Sequence, residues 1–225
     1  MKKSEYLEAI LRSPKTVFTL EDVVLLWQEP GTQAVRVRLS YYVRHGKLYR
    51  IRKGLYAKDA NYSKLELATR IFTPSYVSFE TILAREGLIF QYHTHINVAS
   101  YLTRDIEVDG QVYSFRKVKL SVLTHPQGIE NRDESSFASR ERAFLDMVYL
   151  YGDTQVDHPA GLDWNKVFDL LPIYQNQSME RRVRRIYKEQ QEINHETRHL
   201  HTQNHSLPNS QGYLFGYEHC PIFGV

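Results

Sequence analysis

A single cysteine in 225 residues, Cys220, rules out an internal disulfide and fits a reducing compartment. Long apolar runs are missing as well, since nothing approaches the ~20 residues that a membrane-spanning helix needs. The opening residues, MKKSEYLEAILRSPK, break their only apolar stretch with Glu5 and Glu8. No leader or membrane anchor is therefore expected, and the chain reads as cytoplasmic. Neither common type of glycine-rich phosphate loop occurs, and no serine sits in a G-x-S-x-G elbow. With 42% hydrophobic residues, the chain has material for one large core or two small ones.

Acidic residues are absent from one stretch in particular. From Gly31 to Lys58 there are eight Lys or Arg and no Asp or Glu. Residues 1–58 carry 12 basic against 5 acidic side chains, residues 59–177 carry 11 against 16, and residues 178–225 carry 6 against 5. A solvated surface ordinarily mixes signs, so the first block reads as a surface for a polyanion.

That block is expected to form three short helices and a hairpin. In SEYLEAILRS, Tyr6, Leu7, Ile10 and Leu11 share a face, with Ser4 as N-cap and Pro14 as the stop. Thr19 caps LEDVVLLWQ, which has acids in its first turn and an apolar face through Leu20, Val23, Val24 and Trp27. After the Glu29-Pro30-Gly31 turn, Thr32 is the expected cap of QAVRVRLSYYVRH, which Gly46 ends. Val35, Leu39, Tyr42 and Val43 form the inner face of this third helix, and Gln33, Val37, Ser40, Tyr41 and Arg44 the outer one. Arg36 and Arg38 flank the outer face. KLYRIRKGLYAK then folds back on itself at Arg52-Lys53-Gly54, giving a hairpin whose Arg50 and Arg52 face outward.

Helix, tight turn, helix and hairpin is the order of a winged helix-turn-helix, in which the second helix of the unit enters the major groove. The expected DNA contacts are Gln33, Arg36, Arg38, Ser40, Tyr41, Arg44, Arg50, Arg52 and Lys53. Arg36, Arg44, Arg52 and Lys53 are assigned to phosphates. Gln33, Arg38, Ser40 and Tyr41 are assigned to base edges, since Gln and Arg can make paired hydrogen bonds to adenine and guanine.

Residues 59–190 read as a mixed α/β domain, so the fold class expected for the whole chain is α+β. SKLELATRIF and SFETILAREG are expected to be helices that begin at Ser63 and Ser78. NVASYLT and QVYSFRKVKLSVL are expected to be β-rich, with a turn at Asp109-Gly110. ASRERAFLDMVYLYG returns to helix with Ala143, Phe144, Met147, Val148 and Leu150 inward. Asp163 caps WNKVFDLL, and a last helix starts near Ser178. Its arginines Arg181, Arg182, Arg184 and Arg185 read as a solvated face.

In this order of segments the chain resembles the AbiEi family of antitoxins, from the abortive-infection type of bacterial toxin–antitoxin system. The resemblance lies in RIRKGLYA at the end of the winged helix, in PSYVSFETILAREGLI, in VYSFRKVK, in SRERAFLDMVYLYG and in NKVFDLLPIYQNQSMERRVRRIYKE. It covers residues 5–190. It implies a bipartite protein whose winged helix represses its own promoter, while the α/β domain counteracts a nucleotidyltransferase-like toxin, with or without direct contact. By position, the DNA-reading residues are those from Gln33 to His45 and at the hairpin tip.

Residues 191–225 fall outside that pattern and form a histidine-rich tail, either disordered in part or docked through Tyr213, Leu214, Phe215 and Phe223. The tail contains HETRHLHTQNH, whose first five residues match the H-E-x-x-H zinc signature, with His205 spaced as a third ligand. Against that match, the position requiring glycine is Thr202, and Met1, Met147 and Met179 all precede the motif, leaving no methionine turn. His195 and His199 are at most an adventitious metal pair, and His93 and His95 read as a surface pair. The sequence therefore calls for no catalytic residue, metal or cofactor. Its expected partners are double-stranded DNA and a cognate toxin, with no membrane. Two rivals stay open: a winged-helix regulator with a ligand-sensing second domain, and a metallohydrolase.

Overall fold

The computed structural model describes residues 3–90, 94–152 and 156–204. The chain divides into two units, Met1–Tyr187 and Lys188–Val225. Of the second unit only the continuation of the last helix is described, so the account below concerns the first. The class is mixed α/β.

The N-terminal part runs α1 (Lys3–Arg12), β1 (Val17–Thr19), α2 (Leu20–Trp27), α3 (Thr32–Arg44), β2 (Tyr49–Arg52) and β3 (Leu55–Ala57). The three strands form one sheet in the order β1-β3-β2, antiparallel throughout. A capping box fixes the start of α2: the Thr19 hydroxyl accepts from the Asp22 N–H at 3.1 Å, and the Asp22 carboxylate accepts from the Thr19 N–H at 2.9 Å. Two expected caps are corrected. Ser4 lies inside α1, which already begins at Lys3. Gly31, not Thr32, is the N-cap of α3: its extended backbone, φ −101° and ψ 102°, puts its carbonyl where the Val35 N–H reaches it at 3.3 Å. No side chain caps the helix start.

Tyr6, Ile10, Phe18, Val23, Trp27, Val35, Leu39, Tyr42, Leu48 and Tyr56 form one hydrophobic core. The Trp27 indole closes it, donating to the Tyr6 carbonyl at 2.8 Å and meeting the Tyr6 ring edge-on. The small sheet has its other face in a second core. Successive residues of a strand point to opposite sides, and here Phe18 and Tyr56, a cross-strand pair, serve the first core while Val17, Leu55 and Ala57 serve the second. The compositional change near residue 59 thus coincides with the passage between cores, and the two cores share a wall within one compact unit.

Around the second core, a six-stranded sheet has the order β6-β7-β5-β4-β9-β8. Its strands are β4 (Ser75–Val77), β5 (Ile96–Ser100), β6 (Arg104–Val108), β7 (Gln111–Lys117), β8 (Ile129–Arg132) and β9 (Ser135–Ala138). Pairing is parallel for β5 with β7 and for β4 with β9, and antiparallel elsewhere. The helices described beside this sheet are α4 (Lys64–Ile71), α5 (Glu80–Arg85), α6 (Leu120–Leu123), α7 (Arg140–Tyr151), α8 (Trp164–Leu170) and α9 (Gln177–Asn204). Ser63, Ser139 and Asp163 cap α4, α7 and α8 with their side chains.

Two further expectations are corrected here. The run LSVL forms the short helix α6 rather than the end of a strand. Its partner β5 stops at Ser100, and once the Val118 N–H has bonded the Ser100 carbonyl at 2.9 Å no strand remains to pair with. The backbone satisfies itself locally instead, with the Val122 and Leu123 N–H groups both bonding the Lys119 carbonyl at 2.9 Å. Helix α5 begins at Glu80 after Phe79, not at Ser78, whose hydroxyl is drawn into the core by Asp146.

Candidate nucleic-acid interface

Helix α3 buries Val35, Leu39 and Tyr42, each at most 4% exposed, against α1 and α2. What remains outward are Gln33, Ala34, Arg36, Val37, Ser40 and Arg44, all exposed, with Tyr41 half-buried. The Arg44 guanidinium folds back to the Ser40 carbonyl at 3.4 Å. The Tyr41 ring lies 4.0 Å from the His45 ring, centroid to centroid, which fixes its direction. In the hairpin, Arg50 and Arg52 point outward while Tyr49 and Ile51 turn in, and Gly54 makes the turn with φ +82°. Among the described residues, Arg36, Arg50, Arg52 and Lys53 form no ion pair. Cations without carboxylate neighbours keep their full field for a ligand.

Arg38 is placed differently from the other eight residues of the expected set. Its guanidinium carbon stands 3.6 Å from the centroid of the Tyr6 ring, and its Nη1 is 3.6 Å from a Glu29 carboxylate oxygen. The side chain is only 28% exposed. Position 38 lies next to the buried row of α3, and a long side chain there covers apolar surface while its head finds a carboxylate. It clamps α3 to α1 and to the turn after α2, so its assignment to a base edge is withdrawn.

The hairpin is anchored through a pairing that carried no signal in the sequence. Asp109, in the turn between β6 and β7, accepts from the Tyr62 hydroxyl at 2.6 Å and the Tyr49 hydroxyl at 3.1 Å, and the two rings stack. The bond to Asp109 pushes the Tyr49 phenol above its usual pKa, and burial followed by the same bond does so for Tyr62. Alternation marked Tyr49 as inward-facing, but no periodicity names a partner sixty residues away.

Elsewhere several charged groups pair with one another, although the exposed Arg104, Lys117 and Lys119 form no ion pair among the described residues. A cavity of about 340 Å³ beside the start of α7 holds Arg140 with Glu86 and Glu141, Arg132 with Glu130, and Lys166 with Asp163. Deeper, Asp146 accepts from the Ser78 hydroxyl at 2.7 Å, from Tyr174 at 2.7 Å and from Tyr76 at 3.3 Å, with the Arg142 Nε at 3.6 Å. Arg142 also donates to the carbonyls of Gln127 and Val122. Both charged groups are wholly buried, so they hold α7 to the sheet and to Tyr174 rather than meet a solute. Burial pushes the Asp146 carboxyl up, against Arg142 and the three hydroxyl donors.

Among the described residues no group of three or more His, Cys, Asp or Glu has metal-site geometry, and no helix is long and apolar enough to cross a membrane. The motif HETRHLHTQNH begins within the helical end of α9, but the side chains of His195 and His199, and all of His205, lie outside the described residues. So does His93, whereas His95 stands just before β5 with its Nδ1 3.4 Å from the Ser114 hydroxyl. The aromatic tail with Tyr213, Leu214, Phe215 and Phe223 is likewise outside the described residues. No protein-family model matches the chain, and no curated protein matches it.

Proposed function

We propose that this chain is a sequence-specific DNA-binding regulator of winged-helix type that represses its own promoter and acts as the antitoxin of a bacterial toxin–antitoxin pair. The observation that carries the DNA-binding part is the set of exposed cations on α3 and its hairpin, Arg36, Arg50, Arg52 and Lys53, with no acidic partner among the described residues. In this reading α3 lies in the major groove, Gln33 and Ser40 reach base edges, and Arg36, Arg44, Arg52 and Lys53 hold phosphates. The order α1-β1-α2-α3-β2-β3 and the sheet order β1-β3-β2 support it. Counteraction of a nucleotidyltransferase-like toxin in the bacterial cytoplasm rests on the resemblance to AbiEi antitoxins.

A gel-shift titration on the DNA upstream of the protein's own gene, at two salt concentrations and against unrelated duplex, tests the first part. Specific retention that falls steeply with salt is expected. Arg52→Ala is expected to weaken binding to every duplex and to lower the salt slope by about one unit. Gln33→Ala should instead alter which sequence is preferred. Equal affinity for all duplexes overturns the repressor reading. Growth on co-expression with the neighbouring gene tests the second part: no rescue of a toxic neighbour leaves a regulator that is not an antitoxin.

A further inference from the structure

The outer face of α3 is divided into two stripes. Gln33, Arg36, Ser40 and Arg44 recur at three- and four-residue intervals and are polar or cationic. Beside them Ala34, Val37 and Tyr41 recur in the same way and are apolar. Val37 is 59% exposed, and with Gln33, Ala34, Arg38, Tyr41 and Tyr42 it lines a shallow groove of about 430 Å³. A β-branched residue in the middle of an exposed helix face loses helix propensity and gains no burial. The contact of Tyr41 with His45 fixes the direction of one ring that lines this groove.

On the proposed DNA-reading function, we infer that this apolar stripe reads thymine: Val37, flanked by Ala34 and Tyr41, accepts the C5-methyl groups of one or two thymines in the major groove. The charge around the stripe selects the occupant. Arg36 lies on the neighbouring stripe and Arg50, Arg52 and Lys53 lie on the hairpin that follows α3, and an apolar surface on so cationic a segment matches a ligand with apolar points on a polyanionic frame. Duplex DNA supplies this, because the thymine methyl is the apolar group on the major-groove edges of its bases. With Arg38 turned inward, the arginine assigned to a base edge is withdrawn from guanine and Arg36 is assigned to phosphate, so Gln33 remains to pair with adenine. The preferred half-site is accordingly rich in A·T pairs.

The test starts from a random duplex pool enriched on the full chain, followed by replacement of each thymine of the enriched sequence by deoxyuridine, which removes only the methyl group. One or two replacements should weaken binding by about fourfold each, the effect of exposing a buried methyl group. In Val37→Ala the same replacements should have no further effect, since the contact is already gone. Enrichment of a defined sequence that binds equally well with deoxyuridine overturns the inference and leaves the DNA-reading function standing. If no sequence is enriched, the function and the inference fall together. Self-association of the chain that Val37→Ala abolishes, with deoxyuridine neutral, assigns the groove to a second copy and also overturns the inference.

Discussion

Glu66, on α4, accepts hydrogen bonds from both the backbone N–H and the hydroxyl of Thr16, at 2.8 and 2.6 Å, across fifty residues of sequence. The carboxylate is 1% exposed, and the Thr16 hydroxyl also accepts from the Ser63 N–H at 2.9 Å. Together these bonds tie the strand leading into α2 to the first turn of α4, so the part of the chain that carries α3 is fastened to the larger sheet.

Removing that carboxylate leaves two donors of the half-buried Thr16 without their acceptor. Glu66→Ala is expected to cost about 3 kcal/mol of stability, at the upper end for hydrogen bonds to a charged group. Urea unfolding followed by tryptophan fluorescence measures this, because Trp27 reports the first core. A midpoint unchanged from wild type would show that Thr16 is satisfied without Glu66.

Arg38 is a structural clamp and gives the opposite outcome from the cations around it. Arg38→Ala should lower stability by about 1 kcal/mol through loss of the contact with Tyr6. The preferred DNA sequence should stay unchanged. Arg36→Ala and Arg52→Ala, at exposed and unpaired positions, should leave stability within about 0.5 kcal/mol. Thermal unfolding and sequence selection on the same variants separate the two roles.

Acid should loosen the joint from another side. Burial pushes the Asp22 carboxyl up, but the Lys15 bond, the Thr19 N–H and the charges of Arg70 and Lys15 outweigh it, leaving the pKa below its ordinary 3.8. A carboxyl depressed in the folded state contributes stability that is whole above the unfolded value and lost as pH falls through the folded one. The wild-type unfolding temperature should therefore drop more steeply than that of Asp22→Asn below about pH 4. Asp105, also depressed by its bond from Arg116, and Asp146, raised by burial, are present in both proteins and cancel in the difference. Parallel curves would remove Asp22 from the acid response.

The buried pair under α7 should behave asymmetrically. Asp146→Ala strands the Arg142 guanidinium in the core and is expected to cost about 3–5 kcal/mol. The double change Arg142→Met with Asp146→Leu should recover a large part of this, since an apolar pair of similar volume needs no compensation. Equal losses for the single and double variants would mean that the hydroxyls of Ser78, Tyr76 and Tyr174, not the guanidinium, need the carboxylate.

The sequence by itself determined the local architecture of this protein. Thr19, Ser63 and Asp163 announce the starts of their helices because a cap is a bond over two or three residues. The inner row Val35, Leu39 and Tyr42 follows from helical period, and the outward Arg50 and Arg52 follow from strand alternation. The acid-free run contains Arg36, Arg50, Arg52 and Lys53, which form no ion pair among the described residues. Only the tertiary structure decided the long-range pairings: Glu66 with Thr16, Asp109 with Tyr49 and Tyr62, and Asp146 with Tyr174. It also decided that Arg38 turns inward, since position 38 sits at the margin of the buried row and the outcome depended on Tyr6 and Glu29 being within reach. LSVL became a helix for the same reason in reverse, because β propensity needs a partner strand and β5 had ended. Period and capping act within a few residues, whereas these choices depend on which surfaces the folded chain brings together.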